Sequence, residues 1–176
     1  MTYKKFIGEV CEKIRSEIFH NEYHLFFDFK TAEHPDDKGK SRVTCATIDI
    51  DIKYLDALIT IYPELQVRFE KKEYNNVIQS LVHEMSHILT HPLFIEATRD
   101  SSPWMLERAE EVLERQTQRI ANIIMASKPE KYWLPKQLAK HQKLSKKNGK
   151  QTKSKYKNSS KTNRKARPIN VKKRKN

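Results

Sequence analysis

Two histidines and a glutamate lie within five residues of this chain, at His83, Glu84 and His87. On a helix, residues four apart project from the same face, so the two imidazoles can bind one metal ion together. Zinc suits such a pair, and the adjacent glutamate can take a proton from a water molecule that the metal activates. The spacing predicts metal-assisted hydrolysis, provided that the segment is a helix and that a third ligand exists.

The residues around the motif are expected to form one helix, from about residue 70 to residue 91. With Leu81 at the centre of its apolar stripe, His83 and His87 lie roughly 160° and 120° away. Both histidines should therefore face a cleft rather than the main core. Pro92 should end the helix. The apolar residues within about 80° of the centre are Val77, Ile78, Met85, Ile88 and Leu89.

A second long helix is predicted at about 103–126, because Ser102 and Pro103 are typical of an N-cap followed by proline in the first turn. With Leu106 at 0°, Glu110 falls near 40°, inside the apolar stripe. A carboxylate there is costly unless a cation pairs with it, and a metal held by the two histidines would do so. Glu110 is therefore the predicted third ligand, with an ion pair to a nearby arginine as the alternative.

Two other glutamates of this helix have lesser predicted roles. Glu107, near 100° on the edge of the stripe, is the alternative metal ligand. Glu114, one turn after Glu110, is predicted to accept a hydrogen bond from a ligand histidine and so to fix its tautomer. Two histidines and a glutamate with an open fourth position are a known arrangement of catalytic zinc.

The segments LVHEMSHILTHPL and EEVLERQTQRI resemble the small H-E-x-x-H metallopeptidase-like proteins of bacteriophages and mobile elements, which are related to the ImmA/IrrE-type gluzincins. The resemblance covers roughly residues 40–125. It implies a minimal zincin in which His83, His87 and Glu110 bind zinc and Glu84 is the general base. It also implies a bacterial or phage-infected host cytoplasm.

The chain departs from the related families at several positions. Repressor-cleaving relatives favour asparagine where this chain has Glu114, and they usually carry a helix-turn-helix or regulatory domain that is not visible here. Thr90 stands where metzincins have a glycine, and their third histidine is missing. The pattern H-G-x-x-F of SprT-like proteases is also missing.

The first part of the chain predicts an α+β fold. Apolar residues recur with helical spacing over residues 3–20. Alternating patterns predict strands at 23–30, around 42–52 and at 57–62, with a turn at KYLD between the last two. A small antiparallel sheet is expected. Cys11 and Cys45 have no metal-binding or redox spacing and are expected to be buried free thiols.

Charge divides the chain into a predicted domain, 1–135, and a tail, 136–176. The domain contains 18 Lys and Arg against 22 Asp and Glu, whereas the tail contains 17 Lys and Arg and no acidic residue. Such a tail is expected to be disordered and to attract nucleic acid nonspecifically. The N-terminus has no apolar signal-peptide region and no run is long enough to span a membrane, so an intracellular protein is expected.

The sequence favours a zinc-dependent metalloendopeptidase that acts on a protein substrate. Zinc would provide hydroxide at neutral pH, and Glu84 would transfer the proton of water to the leaving amine. His91, Tyr62 and Tyr132 remain open as donors to the oxyanion. The alternative is a nucleic-acid-associated binding or structural phage protein with a non-catalytic metal site. A metal-dependent hydrolase of a non-protein bond is a third interpretation.

Overall fold

A three-stranded sheet lies beside a bundle of helices in the computed structural model, which describes residues 1–18, 22–37 and 43–139. The strands are β1 (His24–Phe29), β2 (Ala46–Asp51) and β3 (Asp56–Ile61), close to the predicted segments. A turn joins β2 to β3 as expected, and Asp51 stabilises it by accepting hydrogen bonds from the backbone amides of Lys53 and Tyr54. The α+β class predicted from the sequence is confirmed.

The sheet is mixed, so the expectation of a purely antiparallel sheet is wrong. Its order is β1-β3-β2, with β2 antiparallel and β1 parallel to β3. Hairpin partners such as β2 and β3 can be predicted from a short turn, but β1 and β2 are joined by a longer connection. That connection lets β1 pair with the far side of β3. Both β1 and β2 are consequently edge strands.

The core lies between one face of the sheet and two helices. Helix α1 (Tyr3–Ile18) contributes fully buried side chains along its predicted apolar stripe, and β3 contributes Ala57, Ile59 and Ile61. The buried residues of α1 are Phe6, Ile7, Val10, Cys11 and Ile14. Burial raises the pKa of the Cys11 thiol, as expected for an apolar site, which makes this cysteine an inert part of the core.

A short helix that the sequence did not predict, α2 (Pro63–Glu70), separates the sheet from the motif helix. It ends in a Schellman motif: the Glu73 amide donates to the Arg68 carbonyl and the Lys72 amide donates to the Phe69 carbonyl. Lys72 has a φ of 63°, the left-handed conformation that usually calls for glycine at this position. This turn sets where the motif helix begins.

Replacing Lys72 with glycine is expected to raise the free energy of unfolding by about 0.5 to 1 kcal/mol. The left-handed conformation costs a residue with a Cβ roughly 1–2 kcal/mol, and the greater entropy that glycine loses on folding offsets part of this gain. The matched control is Lys71→Gly, because Lys71 is right-handed and should lose stability. Urea denaturation of both variants checks the prediction, and equal effects of the same sign would contradict it.

The motif lies on a single long helix, α3 (Tyr74–Thr98), so a helix carries HEMSH as predicted. The predicted stripe of Val77, Ile78, Met85 and Ile88 is buried, whereas Leu89 is exposed. The helix does not end at Pro92. A proline has a helical φ, so the chain can continue beyond it at the cost of one backbone hydrogen bond.

The second predicted helix is α4 (Pro103–Ser127), which begins after Ser102 as expected. The connection between α3 and α4 is only residues 99–102, shorter than the gap between the two predicted helices, because α3 continues past Pro92. A connection this short makes α3 and α4 an antiparallel helical hairpin. The hairpin brings the middle of α4 against the part of α3 that carries the two histidines.

The last helix of the compact unit is α5 (Glu130–Trp133), after which Leu134 is buried together with Trp133. The segment Met1–Pro135 forms one compact unit. The first four residues of the predicted basic tail, 136–139, are described and are helical, so the expectation of disorder is wrong for them. The expectations of disorder and of nucleic-acid attraction for the rest of the tail fall on residues 140–176, which lie outside the described residues. Within the described part of the chain, no helix has the length and apolar character needed to cross a membrane.

Candidate metal centre

Three side chains from two helices converge at the cleft side of α3. Nε2 of His83 lies 3.4 Å from one carboxylate oxygen of Glu114, and Nε2 of His87 lies 3.3 Å from the other. The two imidazole rings are 5.2 Å apart and nearly perpendicular. One ligand atom from each residue falls within 4.8 Å of the other two. The three residues can thus present their ligand atoms to a single point.

The separations between the three side chains are compatible with a metal ion bound among them. Ligand atoms at the usual zinc distances of roughly 2.0–2.2 Å stand about 3.3–3.6 Å apart in a tetrahedron. The two nitrogen–oxygen distances, 3.3 and 3.4 Å, lie in that range, and each joins a different oxygen of the Glu114 carboxylate. The donor set of two imidazoles and one carboxylate therefore fits a zinc-type ion.

The glutamate in this group is Glu114 and not Glu110, the ligand that the sequence favoured. Glu110 was expected inside an apolar face of α4, but its side chain is exposed, as is that of Glu107. Glu110 precedes Glu114 by four residues, so its backbone lies about 6 Å further along the helix axis. The axial position at which α4 packs against α3 determines that Glu114, and not Glu110, meets the two histidines.

Glu84 lies beside the group, on the wall of a cleft that His83 and Glu114 also line. Burial raises the pKa of Glu84 to about 8, with His83 opposing this shift and Glu114 adding to it. A cation held by the neighbouring ligands would oppose the shift further. The half-buried carboxyl group is thus next to the predicted metal position and in contact with the cleft, as a general base must be.

The cleft has a volume of about 840 Å³ and is bounded by the start of β2, by α2 and by the facing sides of α3 and α4. Most of its other lining groups are polar, and they include the guanidinium of Arg68, which pairs with Glu64 at 3.3 Å. Cys45, expected to be buried, is half-buried on this wall. Burial nevertheless raises the pKa of its thiol.

None of the three residues expected to stabilise an oxyanion lines this cleft. The ring of Tyr62 packs against His34, and the hydroxyl of Tyr132 donates a hydrogen bond to Glu17 on α1. His91 lines a smaller cavity at the edge of β2. The donors that do line the cleft are Arg68, Asn76, Gln79, Ser80 and Gln118.

Two buried threonines lie behind His87, where the sequence predicted no role for either of them. Thr90 lies on α3 and Thr117 lies on α4. Both side chains are buried and their hydroxyl oxygens are 2.9 Å apart. Their signal in the sequence is their spacing: each follows a residue of the metal group by three positions.

Burial lowers the pKa of His87, and Glu114 opposes this effect. An imidazole that resists protonation keeps a lone pair for a metal.

Comparisons with protein-family models, curated proteins and solved structures find no match for this chain. The case for a function therefore depends on the chemistry of these residues.

Proposed function

We propose that this protein is a zinc-dependent metallopeptidase that hydrolyses a peptide bond in a protein substrate. The observation that carries the proposal is the convergence of His83, His87 and Glu114 beside Glu84 on an open cleft. The arrangement agrees with the resemblance of the motif to minimal gluzincins, with Glu114 in place of Glu110 as the carboxylate ligand.

Zinc bound by the three side chains would supply Lewis acidity, which makes water a stronger acid and polarises a carbonyl group. Glu84 would accept the proton of the attacking water and deliver it to the departing amine nitrogen. Its position at the cleft wall gives it access to both. Arg68 and the amides of the lining residues are the groups able to donate hydrogen bonds to the substrate carbonyl oxygen.

The open cleft favours this proposal over a structural metal site. A structural zinc ion usually has four protein ligands and no room for a further one. Here the described residues provide a group of three, and the carboxylate ligand Glu114 is 58% exposed. A structural site also needs no general base, whereas Glu84 lies next to the ligands. A metal held by this group would thus have a coordination position open to water and substrate.

An edge strand next to the cleft favours an extended protein chain as the substrate. The residues that precede and begin β2, Thr44 to Ala46, line the cleft, and among the described residues β2 pairs on one side only. An unpaired strand edge can bind an extended peptide through backbone hydrogen bonds. A chain bound along this edge would enter the cleft that Glu84 also lines.

The test is hydrolysis of an unfolded protein such as reduced casein by the zinc-loaded chain. We expect cleavage that stops when a chelator removes the metal and returns when zinc is restored. Metal analysis is made on the same samples. Stoichiometric zinc without cleavage of any unfolded protein would favour a non-catalytic metal site, and absence of bound zinc would overturn the proposal.

A further inference from the structure

The ring of His87 has a second polar contact on the side away from Glu114. Its Nδ1 atom lies 3.4 Å from the hydroxyl oxygen of Thr117, which is fully buried on α4. That oxygen is 2.9 Å from the hydroxyl oxygen of Thr90 on α3. Thr90 in turn lies 3.5 and 3.4 Å from the carbonyl oxygens of Ser86 and His87. A chain of polar atoms thus connects the imidazole to the backbone of its own helix.

The protons of this chain can be assigned if Nε2 of His87 is a metal ligand. A neutral imidazole carries one proton, so a ligand Nε2 requires the proton on Nδ1. Nδ1–H then donates to Thr117, Thr117 donates to Thr90, and Thr90 donates to the backbone carbonyl oxygens, which only accept. Every donor in this direction has an acceptor. Buried polar groups without partners would be costly, so the full chain stabilises this tautomer.

We propose that Thr117, supported by Thr90, is a positioning residue that holds His87 in the tautomer and ring orientation needed to bind the metal. The proposal rests on the metal site of the proposed function. Groups behind a ligand histidine commonly fix its tautomer and its ring plane. In this chain two hydroxyl groups in series fill that place.

The spacing of the two helices explains why the contact forms. Thr90 follows His87 by three residues on α3, and Thr117 follows Glu114 by three residues on α4. Each threonine therefore lies almost one turn beyond a ligand on the same side of its helix. The packing that brings Glu114 to the histidines also brings the two hydroxyl groups together. Ligand geometry and threonine contact depend on the same alignment of α3 and α4.

The test compares Co²⁺ affinity among variants of the full chain by titration of the visible absorption of the bound ion. Thr117→Val removes the hydroxyl and keeps the shape of the side chain. We expect it to weaken Co²⁺ binding by roughly 10–100-fold, the effect usual for groups that orient a ligand histidine. Thr117→Ser keeps the hydroxyl and should bind close to wild type. Thr90→Val should weaken binding less, because Thr117 can still accept from His87.

The matched control is Thr98→Val. Thr98 also lies on α3 and donates to a helix carbonyl, that of Phe94, at 2.7 Å, but it is not next to the histidines. Its loss should leave Co²⁺ affinity unchanged. Thermal unfolding of the metal-free variants separates positioning from folding, because a purely structural threonine would change the unfolding temperature without a specific loss of affinity. ¹⁵N spectra of the histidine rings in the zinc-loaded protein should show the proton of His87 on Nδ1.

Equal Co²⁺ affinity of Thr117→Val and wild type would overturn the positioning role and leave the proposed function intact. The positioning role would also be overturned if Thr117→Ser bound Co²⁺ as weakly as Thr117→Val, or if the ring of His87 carried no proton on Nδ1 in the zinc-loaded protein. Failure of the wild-type chain to bind Co²⁺ or zinc would overturn the metal site itself and the positioning role with it. The two failures are therefore distinguishable.

Discussion

Glu84→Gln is expected to lower the rate of peptide hydrolysis by about 10²–10⁴-fold, the contribution that is typical of a positioned general base. Glutamine has nearly the same shape as glutamate but cannot accept a proton at neutral pH. The residue is next to the ligands rather than among them, so the variant should keep its zinc. The pair of measurements, activity and bound metal, separates loss of the base from loss of the site.

The control for this variant is Glu96→Gln on the same helix. Glu96 is exposed and pairs with Arg99 at 2.5 Å, far along α3 from the cleft residues. An exposed ion pair contributes little to stability, so both activity and folding should remain at the wild-type level. If Glu84→Gln kept the activity of Glu96→Gln, then Glu84 would not be the base.

Glu114→Ala is expected to abolish stoichiometric zinc binding, whereas Glu110→Ala should retain it. The loss of a direct ligand should exceed the roughly 10–100-fold change that follows removal of a group that only orients a ligand. Glu110 is exposed on the same helix, so its variant is a matched control for the change of glutamate to alanine in α4. Zinc content after dialysis and competition with a coloured chelator measure the difference.

The contrast between these two variants discriminates between the sequence-based and the structure-based choice of ligand. Loss of zinc in Glu110→Ala with retention in Glu114→Ala would show that α3 and α4 align one turn differently. The metal-free forms of both variants should unfold close to wild type, because exposed carboxylates contribute little to folding. A large loss of stability in Glu114→Ala would instead point to a role in holding α3 and α4 together.

Local patterns predicted most elements of the fold because each reports a local property. Alternation located the three strands, and the four-residue spacing of apolar side chains located α1, α3 and α4. Predictions of helix ends from a single residue type were less reliable than predictions from periodic patterns. Pro92 was expected to stop α3, but the helix continues to Thr98. The short helix α2 and the parallel pairing of β1 with β3 had no local signal of comparable strength.

The sequence alone determined the chemistry available at the site: two imidazoles on one helix face and a carboxylate between them in the chain. It also placed a second, glutamate-bearing helix after the first. It favoured Glu110, with Glu107 as the alternative, and could not identify Glu114 as the member of the group, because these residues are about one helical turn apart and lie on overlapping sides of the helix. Only the packing of α3 against α4 decided that Glu114 meets the histidines.

The same packing of α3 against α4 brings the hydroxyl groups of Thr90 and Thr117 into contact behind His87. Helical periodicity is an angular property and depends only on the chain itself, so it can be inferred from the residues. The axial alignment of two helices depends on how their side chains interdigitate and on where the connection between them begins. That alignment arises between elements, and for this reason only the tertiary structure could show that Glu114 is the carboxylate that meets the two histidines and that the two threonines lie behind them.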